Sequence, residues 1–162
     1  MNEIADGNDA ATRRGLGVRV TGRLRELTVQ LSLLNHQVAA RAGIQDVDLD
    51  CLDIVSREGP LTPSALARKA GLHPATTTGV IDRLEKAGWV RRERVPTDRR
   101  AVHITFIPDR AGEILGLYAP MATAIGEICQ DYSPAELEAI GSFLERATGA
   151  GLEATAIVSE RG

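Results

Sequence analysis

Two short clusters of residues in this sequence have side chains that could bind a ligand. The first combines two hydroxyls, a glycine and a cation: Thr76, Thr78, Gly79 and Arg83. The second is a run of arginines interrupted by a turn: Arg91, Arg92, Arg94, Arg99 and Arg100. Hydroxyl and guanidinium groups bind the phosphates and base edges of nucleic acids. These residue types therefore favour recognition of a polyanion over a chemical reaction.

The first cluster lies on the outer face of a predicted helix. An apolar stripe recurs at three- and four-residue spacing and faces inward: Thr77, Val80, Ile81 and Leu84. A shorter helix precedes it, because Thr62 can cap a helix whose first position is Pro63. Gly71 supplies the turn between the two helices. The order predicts a helix-turn-helix whose second helix presents hydroxyls to a major groove.

A β-hairpin is predicted directly after that helix. Residues 89–95 have strand composition, and apolar Val102, Ile104 and Phe106 alternate with polar residues. Residues 96–100 form a turn by composition. Arginines at the tip of such a hairpin can enter a minor groove. The predicted fold is mainly α with a small β-hairpin wing (α+β), a winged helix-turn-helix over residues 46–108.

The motifs in this region resemble those of a known family. The run Gly79-Val-Ile-Asp-Arg-Leu-Glu-Lys-Ala-Gly-Trp-Val-Arg-Arg, followed by Asp98-Arg-Arg-Ala-Val, is similar to the multiple-antibiotic-resistance regulator (MarR) family of bacterial transcription factors. The resemblance implies that Arg100 contacts DNA at the wing tip and that Asp98 holds an arginine in place. Two departures are Thr77, where the family usually has an apolar residue, and Phe106-Ile-Pro in place of Leu-Thr-Pro.

The combined DNA-binding prediction comprises residues of the second helix and of the wing: Thr76, Thr78, Gly79, Arg83, Asp98, Arg99 and Arg100. The distribution of charge supports it. The net charge of the chain is −3, yet residues 57–110 hold 11 basic and 6 acidic residues. A basic module on an acidic body is a focused electrostatic footprint for nucleic acid.

Helices on both sides of the module are predicted to form a dimer. Residues 18–45 carry a coiled-coil-like seam that includes Leu24, Leu27 and Leu31. Residues 109–148 carry a second apolar stripe that includes Ile125, Leu137 and Leu144. Packing two copies through these faces would form a two-fold homodimer. The alternative is that the helices close a monomeric core.

Three further features of the flanking regions are predicted. Pro120 should bend or break the C-terminal helical stretch near its middle. Residues 1–17 are polar and rich in glycine and alanine, which predicts a disordered tail. Residues 149–162 are expected to form a tail that is weakly helical at best.

Catalytic and cofactor motifs are absent from the sequence. It has no glycine-rich phosphate loop and no metal-ligand spacing, and its three histidines are isolated, so neither enzyme activity nor a cofactor is predicted.

Cys51 and Cys129 are far apart and are expected to be buried small hydrophobes, with a redox-sensing thiol as the alternative. No apolar run reaches membrane-spanning length, so a cytoplasmic protein is expected.

These observations predict a homodimeric transcriptional repressor that binds a pseudo-palindromic duplex. The resemblance implies a small effector between the dimerisation helices and the DNA module. His36 and Arg57 are candidate contacts there, and the expected ligand is a small aromatic or phenolic molecule. The alternatives are a winged-helix module that binds protein and a thiol-based redox regulator.

Overall fold

The computed structural model describes the backbone of residues 3–95 and 98–159, and the side chains of residues 11–94 and 102–158. Within these ranges the chain is mostly helical with one antiparallel hairpin: α1 (Glu3–Ala42), α2 (Asp46–Glu58), α3 (Pro63–Ala70), α4 (Pro74–Lys86), β1 (Val90–Val95), β2 (Asp98–Phe106), a 3-10 turn (Pro108–Arg110), α5 (Ala111–Cys129) and α6 (Pro134–Ser159). The predicted class, mainly α with a small wing, is confirmed.

The terminal helices are longer than the sequence suggested. Helix α1 begins at Glu3, so the expectation of disorder over residues 3–17 is wrong. Its glycines each cost only about 1 kcal/mol relative to alanine, and the helix contains no proline to interrupt it. Helix α6 likewise continues past Gly149 to Ser159, so the expected tail is largely helix. Helix α5 runs unbroken through Pro120, so the predicted break does not occur.

Two compact units are present. The first, residues 1–37, contains most of α1 and exposes many of its apolar side chains. The second, residues 38–162, contains the core. The core is built from the inward faces of α2, α3 and α4 and from Trp89, Val90 and Ile104 at the base of the hairpin. Its fully buried members include Val55, Leu66, Ile81, Leu84 and Trp89. None of the helices in the described part of the chain is both long and apolar enough to cross a bilayer.

Local sequence signals determine where helix α3 begins and ends. The hydroxyl of Thr62 accepts a hydrogen bond from the Ala65 N–H at 3.2 Å and caps α3, as predicted. Gly71 ends α3 with φ +64°, a left-handed conformation that a side chain would strain. Leu61 forms an isolated bridge with Ile104, with N···O distances of 3.1 and 2.7 Å, and so ties the start of α3 to the hairpin.

The hairpin is a two-stranded antiparallel sheet. Val90 pairs with Phe106 and Arg92 with Ile104, and the register shifts between Arg94 and Val95. Ile104 and Val90 are buried and join the wing to the helical core, while residues 91–94 of β1 are exposed. We call residues 46–106, from α2 to β2, the reading head.

Candidate nucleic-acid interface

Helix α4 presents a polar face beside its buried stripe. Thr77, Val80, Ile81 and Leu84 are buried, as their spacing predicted. Thr76 and Thr78 are exposed one residue to either side of Thr77. Thr77 departs from an apolar pattern without leaving a polar atom unsatisfied, because its hydroxyl donates to the His73 carbonyl at 3.2 Å. The two exposed threonines therefore flank the buried stripe near the N-terminal end of the helix.

The hydroxyl of Thr78 is oriented by the helix itself. It donates its proton to the Pro74 carbonyl at 3.1 Å. The lone pairs of that oxygen are then left to accept a hydrogen bond from outside the protein. Exocyclic amino groups of adenine and cytosine are the donors that the major groove offers. In this orientation the Thr78 oxygen can accept a hydrogen bond from a donor of that kind.

Gly79 leaves open space on the same face. A Cβ built at this position would meet only the Arg83 Nη1 atom, at 3.5 Å, which is an ordinary contact. No internal contact of the reading head therefore requires glycine here. The absence of a side chain instead leaves the helix backbone open to a close approach from outside.

His73 is exposed and caps α4. Its Nδ1 atom accepts a hydrogen bond from the Ala75 N–H at 3.3 Å. Pro74 occupies the first helical position, where its missing N–H leaves no donor unsatisfied. The sequence signal was weak because serine, threonine, aspartate and asparagine are the usual N-caps.

Arg83 has an internal partner that the sequence did not reveal. Its Nη2 and Nε atoms donate to both carboxylate oxygens of Asp48, at 2.6 and 3.0–3.2 Å. Asp48 is only 1% exposed, and its hydrogen bonds raise the pKa of Arg83. This ion pair connects α4 to α2, although its two residues are 35 positions apart in the sequence. Arg83 was predicted to contact DNA; in the structure its guanidinium is held by Asp48.

The root of the wing is also held by ion pairs. Arg92 contacts Asp82 at 2.5 Å and also Glu85, both on α4, and these carboxylates raise its pKa. Arg91 contacts Glu93 at 2.6 Å. The Thr105 hydroxyl donates to the same carboxylate at 2.8 Å, and these donors lower the pKa of Glu93. Among the wing arginines whose side chains the structure describes, Arg91 and Arg92 are therefore engaged within the protein, and Arg92 fixes the wing to the recognition helix.

The tip of the wing carries the remaining predicted contacts. Strand β2 begins at Asp98, which pairs with Val95 across the hairpin. The side chains of Asp98, Arg99 and Arg100 lie outside the described residues, so their roles stay predictions.

The predicted dimerisation residues carry apolar surface. Leu27 and Leu31 on α1 are 42% and 36% exposed, and Ile125 and Leu144 on α5 and α6 are 47% and 46% exposed. Leu24 and Leu137 are partly exposed. Other apolar residues of these helices are open to solvent too: Leu33, Leu115, Ile128, Phe143 and Leu152. Large apolar side chains exposed in this number on each unit are typical of helices that pack against a partner.

One of the two predicted effector residues lines a cavity. A cleft of about 1370 Å³ lies between the end of α2, helix α3, the α3–α4 turn and the C-terminal part of α6. Its walls combine apolar side chains with the cations Arg57, Arg68 and Lys69, and Thr78 lies at its edge. Arg57 forms an ion pair with Asp53 at 2.6 Å. His36 belongs to the other unit, so its predicted role is not addressed by this cavity.

The cysteines differ in their environments. Cys51 is fully buried, and burial together with Asp50 and Asp48 raises the pKa of its thiol to about 11. Cys129 is partly exposed, and both thiols are free. Among the described residues no group of three or more His, Cys, Asp or Glu side chains is placed to hold a metal ion.

The fold and the α4 face together define a winged helix-turn-helix DNA-binding protein. A profile of the MarR family matches residues 44–102 of the chain. An uncharacterised HTH-type transcriptional regulator of Bacillus subtilis, YcgE, is 40% identical over 117 residues, which are 72% of this chain and 76% of that protein. The chain belongs to the MarR family.

Solved structures agree with this assignment. Transcriptional regulator Tm0710 from Thermotoga maritima is 25% identical with a TM-score of 0.60, over 85% of this chain and 97% of that one. A MarR family protein from Bacillus stearothermophilus shares the fold with a TM-score of 0.65 at 22% identity, over 82% of this chain and 93% of that one. As a member of the MarR family, the chain is a DNA-binding transcriptional regulator.

Proposed function

We propose that this regulator is a homodimeric repressor that binds a pseudo-palindromic duplex and is released by a small organic effector. The observation that carries the proposal is the polar surface of α4, on which Thr76 and Thr78 are exposed and Gly79 is half-buried with no side chain. Short hydroxyl side chains and a glycine backbone allow α4 to contact base edges in a major groove. Arg99 and Arg100 extend the contact to the minor groove beside it.

A two-fold dimer follows from the exposed apolar residues of α1, α5 and α6. Burying such surface contributes roughly 25 cal/mol per Å². A second copy with the same faces covers it symmetrically. Two reading heads related by a two-fold axis select half-sites about 10 bp apart on one face of the duplex.

Selection from a randomised duplex library tests the DNA-binding mode. The recovered sequences should be pseudo-palindromic, and affinity should fall steeply with salt because arginines displace counterions from phosphates. Thr78→Val keeps the shape of the side chain and removes the hydroxyl. It should cost about 1–3 kcal/mol on the selected duplex and little on scrambled DNA. Recovery of non-palindromic sequences, or equal binding to scrambled DNA, would refute the proposal.

A variant of the wing distinguishes contacts to the phosphates or minor groove from contacts to base edges. Arg100→Ala should weaken selected and scrambled duplexes by similar factors and reduce the salt slope by about one unit, since it removes a phosphate or minor-groove cation. Arg91→Ala is the matched control, because Arg91 already contacts Glu93. If both substitutions have the same effect, the tip arginine has no special role.

For the effector, the cleft beside α3 and α6 is the proposed site. Leu72 and Leu152 provide apolar walls, and Arg57 and Arg68 provide cations for an acidic group. A ligand releases DNA only if it binds the DNA-incompetent state more tightly, and DNA must then weaken the ligand by the same factor. A panel of phenols and aromatic acids should contain a compound that raises the melting temperature and releases the duplex. Arg68→Gln should weaken both effects of that compound together.

A further inference from the structure

The joint between the reading head and α5 contains an arginine with an unusual set of contacts. Helix α4 ends at Lys86, and Gly88 turns the chain with φ +75° into the buried Trp89. The chain returns to this point at the end of the hairpin, where the Ile107 N–H donates to the Trp89 carbonyl at 3.0 Å. Arg110 is the last residue of the 3-10 turn that follows and directly precedes α5.

The guanidinium of Arg110 joins three elements at once. Its central carbon lies 3.8 Å from the centroid of the Trp89 ring. Its Nη1 atom donates to the Ala87 carbonyl at the end of α4. Its Nε and Nη2 atoms donate to Glu113, in the first turn of α5, at 2.8 and 2.6 Å. A planar fork with five donors can make all of these contacts simultaneously, whereas a lysine ammonium cannot.

Each contact has a physical reason. The last carbonyls of a helix lack partners within the helix, and a cation near them is favoured by the helix dipole. A guanidinium over an indole face is attracted by the ring quadrupole. Glu113 holds the opposite edge of the guanidinium and so fixes its plane.

Helix α5 meets the rest of its unit at half-buried residues, which include Ile114 and Tyr118. None of the residues of α5 is fully buried, and Ile114 is the member of this helix that packs against the core cluster. The contacts of Arg110 are the ones that join the start of α5 directly to the end of α4. Removing these contacts should loosen the link between the recognition helix and α5.

We infer that Arg110 is a positioning residue that fixes the recognition helix relative to α5 and thereby sets the half-site spacing that the dimer accepts. The inference rests on the proposed two-fold dimer, because spacing has meaning only for two reading heads joined through their flanking helices. Inserting one base pair moves a half-site by about 3.4 Å and rotates it by about 35°. A rigid joint rejects such a duplex, and a pivoting joint accommodates it.

The experiment uses the full chain and a duplex selected from a randomised library with the wild-type protein. Three duplexes derive from it: one with a base pair inserted at the centre, one with a base pair removed, and one that keeps a single half-site. The wild type should prefer the selected spacing over both altered spacings. Arg110→Lys and Arg110→Gln should reduce that preference by about fivefold or more, with single-half-site affinity unchanged within about twofold.

Two controls define the role. Glu113→Gln removes the charge of one partner and leaves the contacts of Arg110 with Trp89 and Ala87, so it should reduce the spacing preference less than Arg110→Gln does. Trp89 is the only tryptophan, and its emission reports its ring directly. Arg110→Lys should change the emission intensity without a red shift, because the ring loses the stacked guanidinium but stays buried.

The possible results separate this inference from the proposed function. If selection yields no two-fold duplex with a preferred spacing, the dimer proposal fails first. If the wild type prefers one spacing and both Arg110 variants retain the full preference, the dimer stands and the positioning role is overturned. A loss of single-half-site affinity equal to the loss on the full duplex also overturns it, since Arg110 would then serve only the stability of the reading head.

Discussion

The buried carboxylate of Asp48 connects the first helix of the reading head to the recognition helix. It accepts from the Gln45 N–H at 3.2 Å at the start of α2 and from Arg83 on α4. A buried carboxylate is tolerated only when its oxygens are paired. The pair is asymmetric, because the side chain of Arg83 is 43% exposed and that of Asp48 is 1% exposed.

That asymmetry predicts the order of two substitutions. Arg83→Ala leaves the buried carboxylate unpaired and should lower the free energy of unfolding by about 3 kcal/mol. Asp48→Asn leaves a half-exposed guanidinium that reaches water and should cost about 1 kcal/mol. The double variant should cost less than the sum. Urea unfolding followed by circular dichroism measures all three, and a stable Arg83→Ala protein with impaired DNA binding would instead support the predicted contact of Arg83 with DNA.

The thiol of Cys51 gives a second prediction at this scale. Because burial raises its pKa from 9.0 to about 11, the folded protein favours the protonated thiol. The contribution to stability is complete below pH 9 and is lost as the pH rises toward 11. At pH 8, alkylation by iodoacetamide should modify Cys129 in the Cys51→Ser protein much faster than Cys51 in the Cys129→Ser protein. Equal rates would favour the redox alternative for Cys51.

At the scale of elements, local sequence signals predict the helices of the reading head, whereas contacts between residues that are distant in sequence leave no such signal. The Thr62 cap, the left-handed Gly71 and the stripe through Ile81 each act within one helical turn, so the sequence alone placed α3 and α4. The ion pair between Asp48 and Arg83 joins residues 35 positions apart and has no local signature. The same holds for the three contacts of Arg110, which depend on how the hairpin returns beside α4.

The terminal helices are longer than expected for a related reason. Glycine and proline are only local interruptions of α1, α5 and α6. Each has a finite cost that the favourable residues around it offset, so the helices continue through Gly15, Pro120 and Gly149. Summed propensity over a long segment, and not its least favourable residue, determines where such a helix ends.

The continuity of α5 leads to a prediction for Pro120. Proline lacks the N–H that would bond to the carbonyl four residues earlier, in Gly116. Pro120→Ala restores that donor and should raise the free energy of unfolding by about 1–3 kcal/mol. Ala119→Gly is the matched control and should lower it by about 1 kcal/mol without removing a donor. A lower melting temperature for Pro120→Ala would show that the proline shapes α5 for its packing partners.

For the whole molecule, the total of basic residues overstates the charge that is available for DNA. Lys69, Arg83 and Arg92 each contact a carboxylate of the reading head itself. Among the described residues, Arg68, Lys86 and Arg94 have no such ion pair. The salt slope should therefore reflect these cations and the arginines at the wing tip, fewer than the 11 basic residues counted from the sequence.

The flanking helices determine the last prediction, which concerns assembly. Leu27 on α1 and Leu144 on α6 are both near half exposed, and the proposed dimer buries them. Leu27→Asp or Leu144→Asp would place an unpaired carboxylate in that apolar interface, which is costly. Sedimentation at micromolar concentration should show a dimer for the wild type and a monomer for either variant, with loss of binding to the full two-fold duplex. Gln30→Asp and Ser142→Asp add the same charge at exposed polar positions of the same helices and should leave both properties intact. A monomeric wild type that binds the full duplex tightly would contradict the dimer, and the exposed leucines would then need another partner.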